Sequence, residues 1–234
     1  MRNFIFATIL MCIAFCSCEK IKGNGEITTE DRAIDGFFTE VENDTKFDVE
    51  IEFTNGNQKA TITGESNIIP KIYIGVKNKK LTIKKNKSKY NLKNSEPVTI
   101  TIYMNRSDYL DFINAGSGDM TVLSPLSKKI TFENSGSGNL FAFDCENEAT
   151  EIMSSGSGDV DVKGIAADVK ITGCGDGAID CFNLTAQYVE IHSSGSGMIE
   201  AYATDEADVW VTGSGEVYVY GTERVRYHYE YNDK

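Results

Sequence analysis

Phe112-Ile-Asn-Ala-Gly-Ser-Gly-Asp-Met120 is followed by Phe132-Glu-Asn-Ser-Gly-Ser-Gly-Asn-Leu140 and by Ile152-Met-Ser-Ser-Gly-Ser-Gly-Asp-Val160. The phrase returns altered as Ile171-Thr-Gly-Cys-Gly-Asp-Gly-Ala-Ile179, again as Ile191-His-Ser-Ser-Gly-Ser-Gly-Met-Ile199, and shortened as Val211-Thr-Gly-Ser-Gly-Glu-Val217. Gly116, Gly136 and Gly156 lie 20 residues apart, and Gly175 and Gly195 follow at 19 and 20. A fixed period of this length marks a stacked-repeat architecture. Within each copy, two runs of alternating apolar residues flank the glycines, as in Leu110-x-Phe112 and Met120-x-Val122. Period-two alternation specifies strands with one buried face. The Gly-Ser-Gly between them is expected to turn the chain through positive φ, where a Cβ would clash.

A unit of about 20 residues with no helical pattern fits one coil of a β-helix, in which equivalent strands stack in parallel on neighbouring coils. The fold class is therefore all-β: a single parallel β-solenoid with the Gly-Ser-Gly coils over 109–221. The expected inward columns are Phe112, Phe132, Ile152, Ile171, Ile191 and Met120, Leu140, Val160, Ile179, Ile199. Residues 31–108 show the same strand density without the period and are read as irregular first coils that cover one apolar end. One continuous domain, 31–234, is expected, with a Tyr-rich terminal cap over 222–234. Ile21 to Glu30, polar with two Gly, is read as a short tether within 18–30.

Arg2 and the apolar run Phe4 to Phe15 form a secretion signal, too short to span a bilayer as a helix. Ser17 before Cys18 resembles the bacterial lipoprotein signal, which implies removal of 1–17 and acylation (palmitate) of Cys18. The expected location is the outer membrane of a Gram-negative bacterium, with the lipid anchor as the membrane partner. Cys145, Cys174 and Cys181 remain in the mature chain, an odd number without a disulfide framework. Cys181 stands at an inward position and reads as a small buried hydrophobe.

The net charge is −12. Residues 19–108 carry 15 basic and 14 acidic side chains, whereas 109–234 carry 7 and 21. So acidic a repeat region excludes nucleic acid as a partner. Eight Lys between Lys77 and Lys93 read as the solvated face of a strand and a loop.

Arg32-Ala-Ile-Asp-Gly-Phe37 with Val41, then Phe47-Asp-Val-Glu-Ile51, the strands Leu81-Thr-Ile83 and Val98 to Met104, and the repeated Gly-Ser-Gly-Asp turns follow one another in a family's order. From Asp31 to about Gly221 the chain resembles the head GIN domain family, whose members are labelled auto-transporter adhesins. The resemblance implies a right-handed parallel β-helix on a secreted or lipid-anchored bacterial protein. It supplies no catalytic residues.

The residues themselves point away from chemistry. His192 beside Ser193, with Asp176 one coil earlier, has the composition of a triad but no nucleophile elbow. A polysaccharide-active β-helix enzyme is the rival reading, but the coils bearing Asp119, Asn139, Asp159 and Asp176 would repel a polyanion. The same acidic residues raise calcium as the one cofactor to consider; period and phrase differ from the known calcium β-roll. No metal site is assigned. The ligand-facing candidates are the corner residues Ser117, Asp119, Ser137, Asn139, Ser157, Asp159, Asp176 and Ser196. Trp210, Tyr218, Tyr220, Tyr227, Tyr229 and Tyr231 supply aromatic surface near the end. The expected function is a non-catalytic envelope binding module for a glycan or protein. A self-associating structural protein, a homo-oligomer, is the alternative.

Overall fold

The computed structural model describes residues 19–229. The signal segment, Cys18 and Tyr231 lie outside the described residues. The first strands are β1 (Glu19–Lys22), β2 (Ile27–Ala33), β3 (Glu40–Asp44), β4 (Asp48–Phe53), β5 (Lys59–Glu65), β6 (Ile72–Lys77), β7 (Lys80–Lys85), β8 (Tyr90–Lys93) and β9 (Thr99–Met104). The repeat region supplies β10 (Tyr109–Asn114), β11 (Met120–Leu123), β12 (Leu126–Asn134), β13 (Leu140–Ser154), β14 (Val160–Gly173), β15 (Ile179–Ser193), β16 (Ile199–Val211), β17 (Val217–Tyr220) and β18 (Val225–Tyr229). One 3-10 turn, Ile69–Lys71, interrupts the strands.

Every ladder in the repeat region is parallel, and the register shifts at the bends of β13 to β16 leave the inward columns aligned. Phe112 pairs with Phe132, Phe132 with Ile152, Ile152 with Ile171, Ile171 with Ile191 and Ile191 with Val209. Met120, Leu140, Val160, Ile179, Ile199 and Val217 form the second column. Both expected columns are buried from Phe112 to Ile191 and from Met120 to Ile199. The protein is a β-solenoid of about six turns. Parallel strands on successive coils bury one apolar face continuously, and Phe112 stacks on Phe132 at 5.8 Å between ring centroids.

The long strands β13 to β16 each run along the second face of one coil, bend, and continue as the first face of the next. The sharp corner is the Gly-Ser-Gly. The glycines are not there for positive φ, contrary to the sequence-based expectation, because none of them has a left-handed backbone. Their role is close approach. Ser137 N–H donates to the Gly116 carbonyl at 3.0 Å, Ser157 to Gly136 at 3.1 Å and Ser196 to Gly175 at 3.1 Å. A Cβ on Gly136 or Gly156 would overlap the carbonyl oxygen of the corner glycine one coil before. Positive φ occurs at the bend after the second face instead, at Ser124 (50°), Asp144 (54°) and Gly164 (143°). These positions are also 20 residues apart, but they share no residue type that would have flagged them.

The first half differs from a run of sequential coils. β3 and β4 stack directly under β10 and β11. β7 and β9 stack beyond them, on β3 and β4. The chain therefore forms its second coil at the outer end and then steps back across the first to begin the repeats. Antiparallel strands close that end: β6 on β7, and β5 with β2 on β9. The β6–β7 turn uses Asn78 and Lys79, both at positive φ, which suits a tight hairpin. Ile21 to Glu30 is not a free tether: β1 pairs with β8 and β2 with β5. Buried Glu65 fastens this region. Its carboxylate accepts Ser95 Oγ–H (2.6 Å), Gly25 N–H (2.8 Å) and Ser95 N–H (2.9 Å), and these bonds hold its pKa below the ordinary value.

Gly156→Ala should destabilise by about 1–3 kcal/mol, because stacked backbones cannot separate at one corner alone. Ile152→Ala should cost about 2–5 kcal/mol as a core cavity. Ser157→Ala, on the exposed side of the same corner, should change stability by less than about 0.5 kcal/mol. Chemical denaturation of the three variants measures all of these.

Candidate functional site

Three columns run along the Gly-Ser-Gly edge, and they have different fates. The innermost holds Asn43, Asn114, Asn134, Ser154 and Ser193, all buried. Asn114 Nδ2 donates to the Gly118 and Asn139 carbonyls, both at 3.0 Å; Asn134 Nδ2 donates to those of Gly138 and Gly158, also at 3.0 Å. These amides satisfy carbonyls that the corner would otherwise leave unpaired inside the coil. Their role was not read from sequence, where each looked like one more small polar residue.

The second column is Asp48, Asp119, Asn139 and Asp159. Asp48 Oδ1 accepts Asp119 N–H (3.0 Å), Asp119 Oδ1 accepts Asn139 N–H (2.8 Å), Asn139 Oδ1 accepts Asp159 N–H (2.9 Å), and Asp159 Oδ1 accepts Ala178 N–H (2.8 Å). Each side chain thus caps the next coil's backbone, and one oxygen of each is committed to that bond. Asp176 is not a member. It stands in the third column, between Ser157 and Ser196, and accepts Ser196 Oγ–H at 2.6 Å. Ser117, Ser137, Ser157, Asp176 and Ser196 of this outer column are all exposed. Among the described residues no cluster of three or more His, Cys, Asp or Glu could hold a metal ion.

His192 has partners other than those of a catalytic base. Its Nε2 meets Glu190 Oε1 at 2.7 Å, and its ring stacks on Trp210 at 4.6 Å, which in turn stacks on His228 at 4.6 Å. The Lys170 ammonium and this imidazole hold the Glu190 carboxyl below its usual range. Asp208, gripped by Arg226 through two bonds of 2.7 and 2.6 Å, is lowered to about 2.

The outward positions of the second face carry an aromatic stripe that sequence reading located only in part. Phe141 and Phe143 lie parallel at 6.3 Å, with Lys163 Nζ 5.2 Å from the Phe143 centroid. Further along, Phe182 meets Tyr202 edge-on at 6.1 Å and Tyr220 at 4.9 Å. Phe182, Tyr218 and Tyr220 are exposed. Glu200 and Glu216 accept the hydroxyls of Tyr220 (2.9 Å) and Tyr218 (2.7 Å), which raises both phenol pKa values. The stripe follows from placing outward residues at every second position after each corner, but Phe141, Phe143, Phe182 and Tyr202 are visible as one surface only when coils are stacked. Tyr227 occupies the inward register, opposite Val209.

The family model "Putative auto-transporter adhesin, head GIN domain" matches residues 37–222, and the chain belongs to that family. A putative adhesin from Bacteroides fragilis NCTC 9343 shares 24% identity and a TM-score of 0.74, over 89% of this chain and 100% of that one. A putative adhesin from Parabacteroides distasonis ATCC 8503 shares 20% identity and a TM-score of 0.69, covering 90% and 96%. A putative lipid binding protein from the same Parabacteroides strain shares 19% identity and a TM-score of 0.60, covering 86% and 100%. No curated protein matches the chain. These likenesses support the solenoid fold.

Cys145 and Cys181 are buried and free, whereas Cys174 is free and exposed at a corner. Burial pushes the Cys145 thiol up to about 12 and Cys181 well above its usual value. In the native protein at neutral pH, a thiol reagent should modify Cys174 alone; Cys145 and Cys181 should react only after unfolding. Intact-mass measurement counts the adducts, and rapid triple labelling without denaturant would contradict the packed interior.

Proposed function

We propose that the protein is an exported, lipid-anchored envelope module that binds a glycan or protein without catalysing a reaction on it. The observation that carries the reading is the aromatic stripe on the second face, from Phe141 and Phe143 to Phe182, Tyr202 and Tyr220. Exposed rings beside carboxylates suit sugar faces and hydroxyls, and equally suit a protein hot spot. Asp161, Asp180 and Glu200 pair with one another on successive strands, between Phe141 at one end and Tyr218 at the other, beside these rings. A rigid rod repeats such contacts at fixed spacing, so individually weak ones add along its length. The exposed Ser and Asp corner column flanks this face and supplies small polar groups that leave a ligand unhindered.

Self-association is the second reading. Within the described residues, the terminal strands β17 and β18 each pair only with β16, leaving an edge at that end. A glycan and envelope-protein array tests the first reading. Phe182→Ala/Tyr220→Ala should lower binding by at least about tenfold, as expected for losing two aromatic anchors. An empty array, together with an oligomer by light scattering, would favour self-association instead.

The anchor is proposed at Cys18, where several acyl chains would give stable attachment. Wild-type protein should require detergent for extraction. Cys18→Ala should appear in the soluble or salt-washed fraction; retention through a high-salt wash would sink the anchor.

A further inference from the structure

The end of the rod that holds β1 includes one segment whose charges are all of one sign. Ser66 to Ser95 contains nine Lys and no Asp or Glu, in a protein of net charge −12. This segment is β6, β7 and β8, the outermost layer of the first-face sheet together with the enlarged corner of the outer coil. Among the described residues, two of the nine make ion pairs: Lys80 with Glu40 and Glu42, and Lys89 with Glu19. Neighbouring Lys46, from the β3–β4 corner, bonds to the Asn94 amide rather than to a carboxylate. Blocking an open sheet edge accounts for a lysine on β6. It does not account for Lys87 in the β7–β8 connection, for Lys93 on β8, or for Lys46.

One lysine of the segment, Lys85, lines a groove of about 530 Å³ between β8 and the first Gly-Ser-Gly corners together with Lys46. Lys46, Lys85, Tyr90, Ser117 and Ser137 line it, with Asp44 as its one acidic side chain. Lys71 and Lys87 approach the Tyr90 ring at 5.6 and 5.7 Å. Lys85 Nζ is spent on the Tyr90 carbonyl at 3.1 Å, which fixes its ammonium at the rim. The nearby Glu65 carboxylate is occupied by Gly25 and Ser95. The groove therefore offers the ammoniums of Lys46 and Lys85 and the hydroxyls of Ser88, Ser117 and Ser137, with Asp44 as the one lining acid. The third observation is where the chain comes from. β1 begins at Glu19 and lies along β8 in register, Glu19 opposite Tyr90 and Lys22 opposite Lys93. Glu19, the first described residue, therefore adjoins this cluster, and Lys20 and Lys22 add to it.

We propose that this lysine cap and its groove dock on phosphate-bearing lipid headgroups, so that the rod stands on an anionic membrane by its entry end. The inference rests on the membrane-anchored reading and extends it. Each lysine near such a surface contributes attraction that dies away within a Debye length. The acidic coils, repelled by the same surface, would project outward with their aromatic stripe.

The test uses a chain begun at Glu19, which keeps every residue of the buried core. It lacks Cys18, so its result is independent of acylation, and it needs no glycan or protein ligand. Co-sedimentation is measured with vesicles of phosphatidylcholine alone and with about one third phosphatidylglycerol. The anionic vesicles should bind at least about tenfold more tightly, and about 1 M salt should abolish the difference. Lys46→Glu/Lys85→Glu/Lys93→Glu should lose at least about tenfold. Lys128→Glu/Lys163→Glu/Lys170→Glu, equal in charge change but on the repeat coils, should bind as the parent does. Circular dichroism checks both variants; if the first fails to fold, Lys46→Gln/Lys85→Gln/Lys93→Gln takes its place. Equal binding to both vesicles, or equal losses in the two triple variants, would overturn the proposal. Displacement by inorganic phosphate far beyond chloride of the same ionic strength would also overturn it, by making the groove a free-anion site.

Discussion

Everything in the repeat region depends on one contact: the carbonyl of the first corner glycine receiving the serine N–H of the next coil. At 3.0 to 3.1 Å this bond carries the backbone stacking of successive coils through the corner, where the chain changes direction. There is no room between them for a Cβ, and that is why glycine recurs. Because the corners stack without offset, the flanking strands stay in register, and each inward residue lands on its counterpart. The apolar columns are thus a consequence of the corner as much as a cause of the fold.

The polar ladders complete that corner from both sides. Inside, Asn114 and Asn134 reach carbonyls that a tight turn leaves pointing into the coil. Outside, Asp48, Asp119, Asn139 and Asp159 each hold the backbone N–H of the coil that follows. A buried unpaired group is costly, so both ladders stabilise mainly by pairing backbone groups of the corner, while Asn134 Oδ1 and the Ser154 and Ser193 hydroxyls of the inner column stay without a hydrogen-bond partner. Where the series ends, at Ala178, the backbone stacking persists. The ladders reinforce the corner and do not create it. Their commitment to structure also narrows the surface open to ligands, to the outer serine column and the aromatic second face.

Sequence periodicity made the coil legible because the physical repeat and the letter repeat coincide at the glycines and the inward columns. It misassigned the reason for the glycines, since a residue chosen for close approach and one chosen for positive φ look the same in text. The bends that do use positive φ, at Ser124, Asp144 and Gly164, were silent because three different side chains tolerate that conformation for different reasons. The first half hid its path more deeply. Nothing in the letters says that β7 to β9 stack beyond β3 and β4, because that order is set by long-range pairing. For the same reason Phe143, Lys163 and Phe182 could not be seen as neighbours. The placement of Asp176 turned on register: the 19-residue spacing puts it level with Ser157 and not with Asp159.

The corner bond itself can be observed directly through amide hydrogen exchange at single-residue resolution. Ser137, Ser157 and Ser196 have exposed side chains, and an ordinary surface turn would exchange its amides quickly. If the stacked corner is the element on which the solenoid rests, these N–H groups should be protected as strongly as those of Phe132 and Ile152 in the strands, exchanging only with global unfolding. Exchange at rates typical of loop amides, while the strands stay protected, would contradict the account.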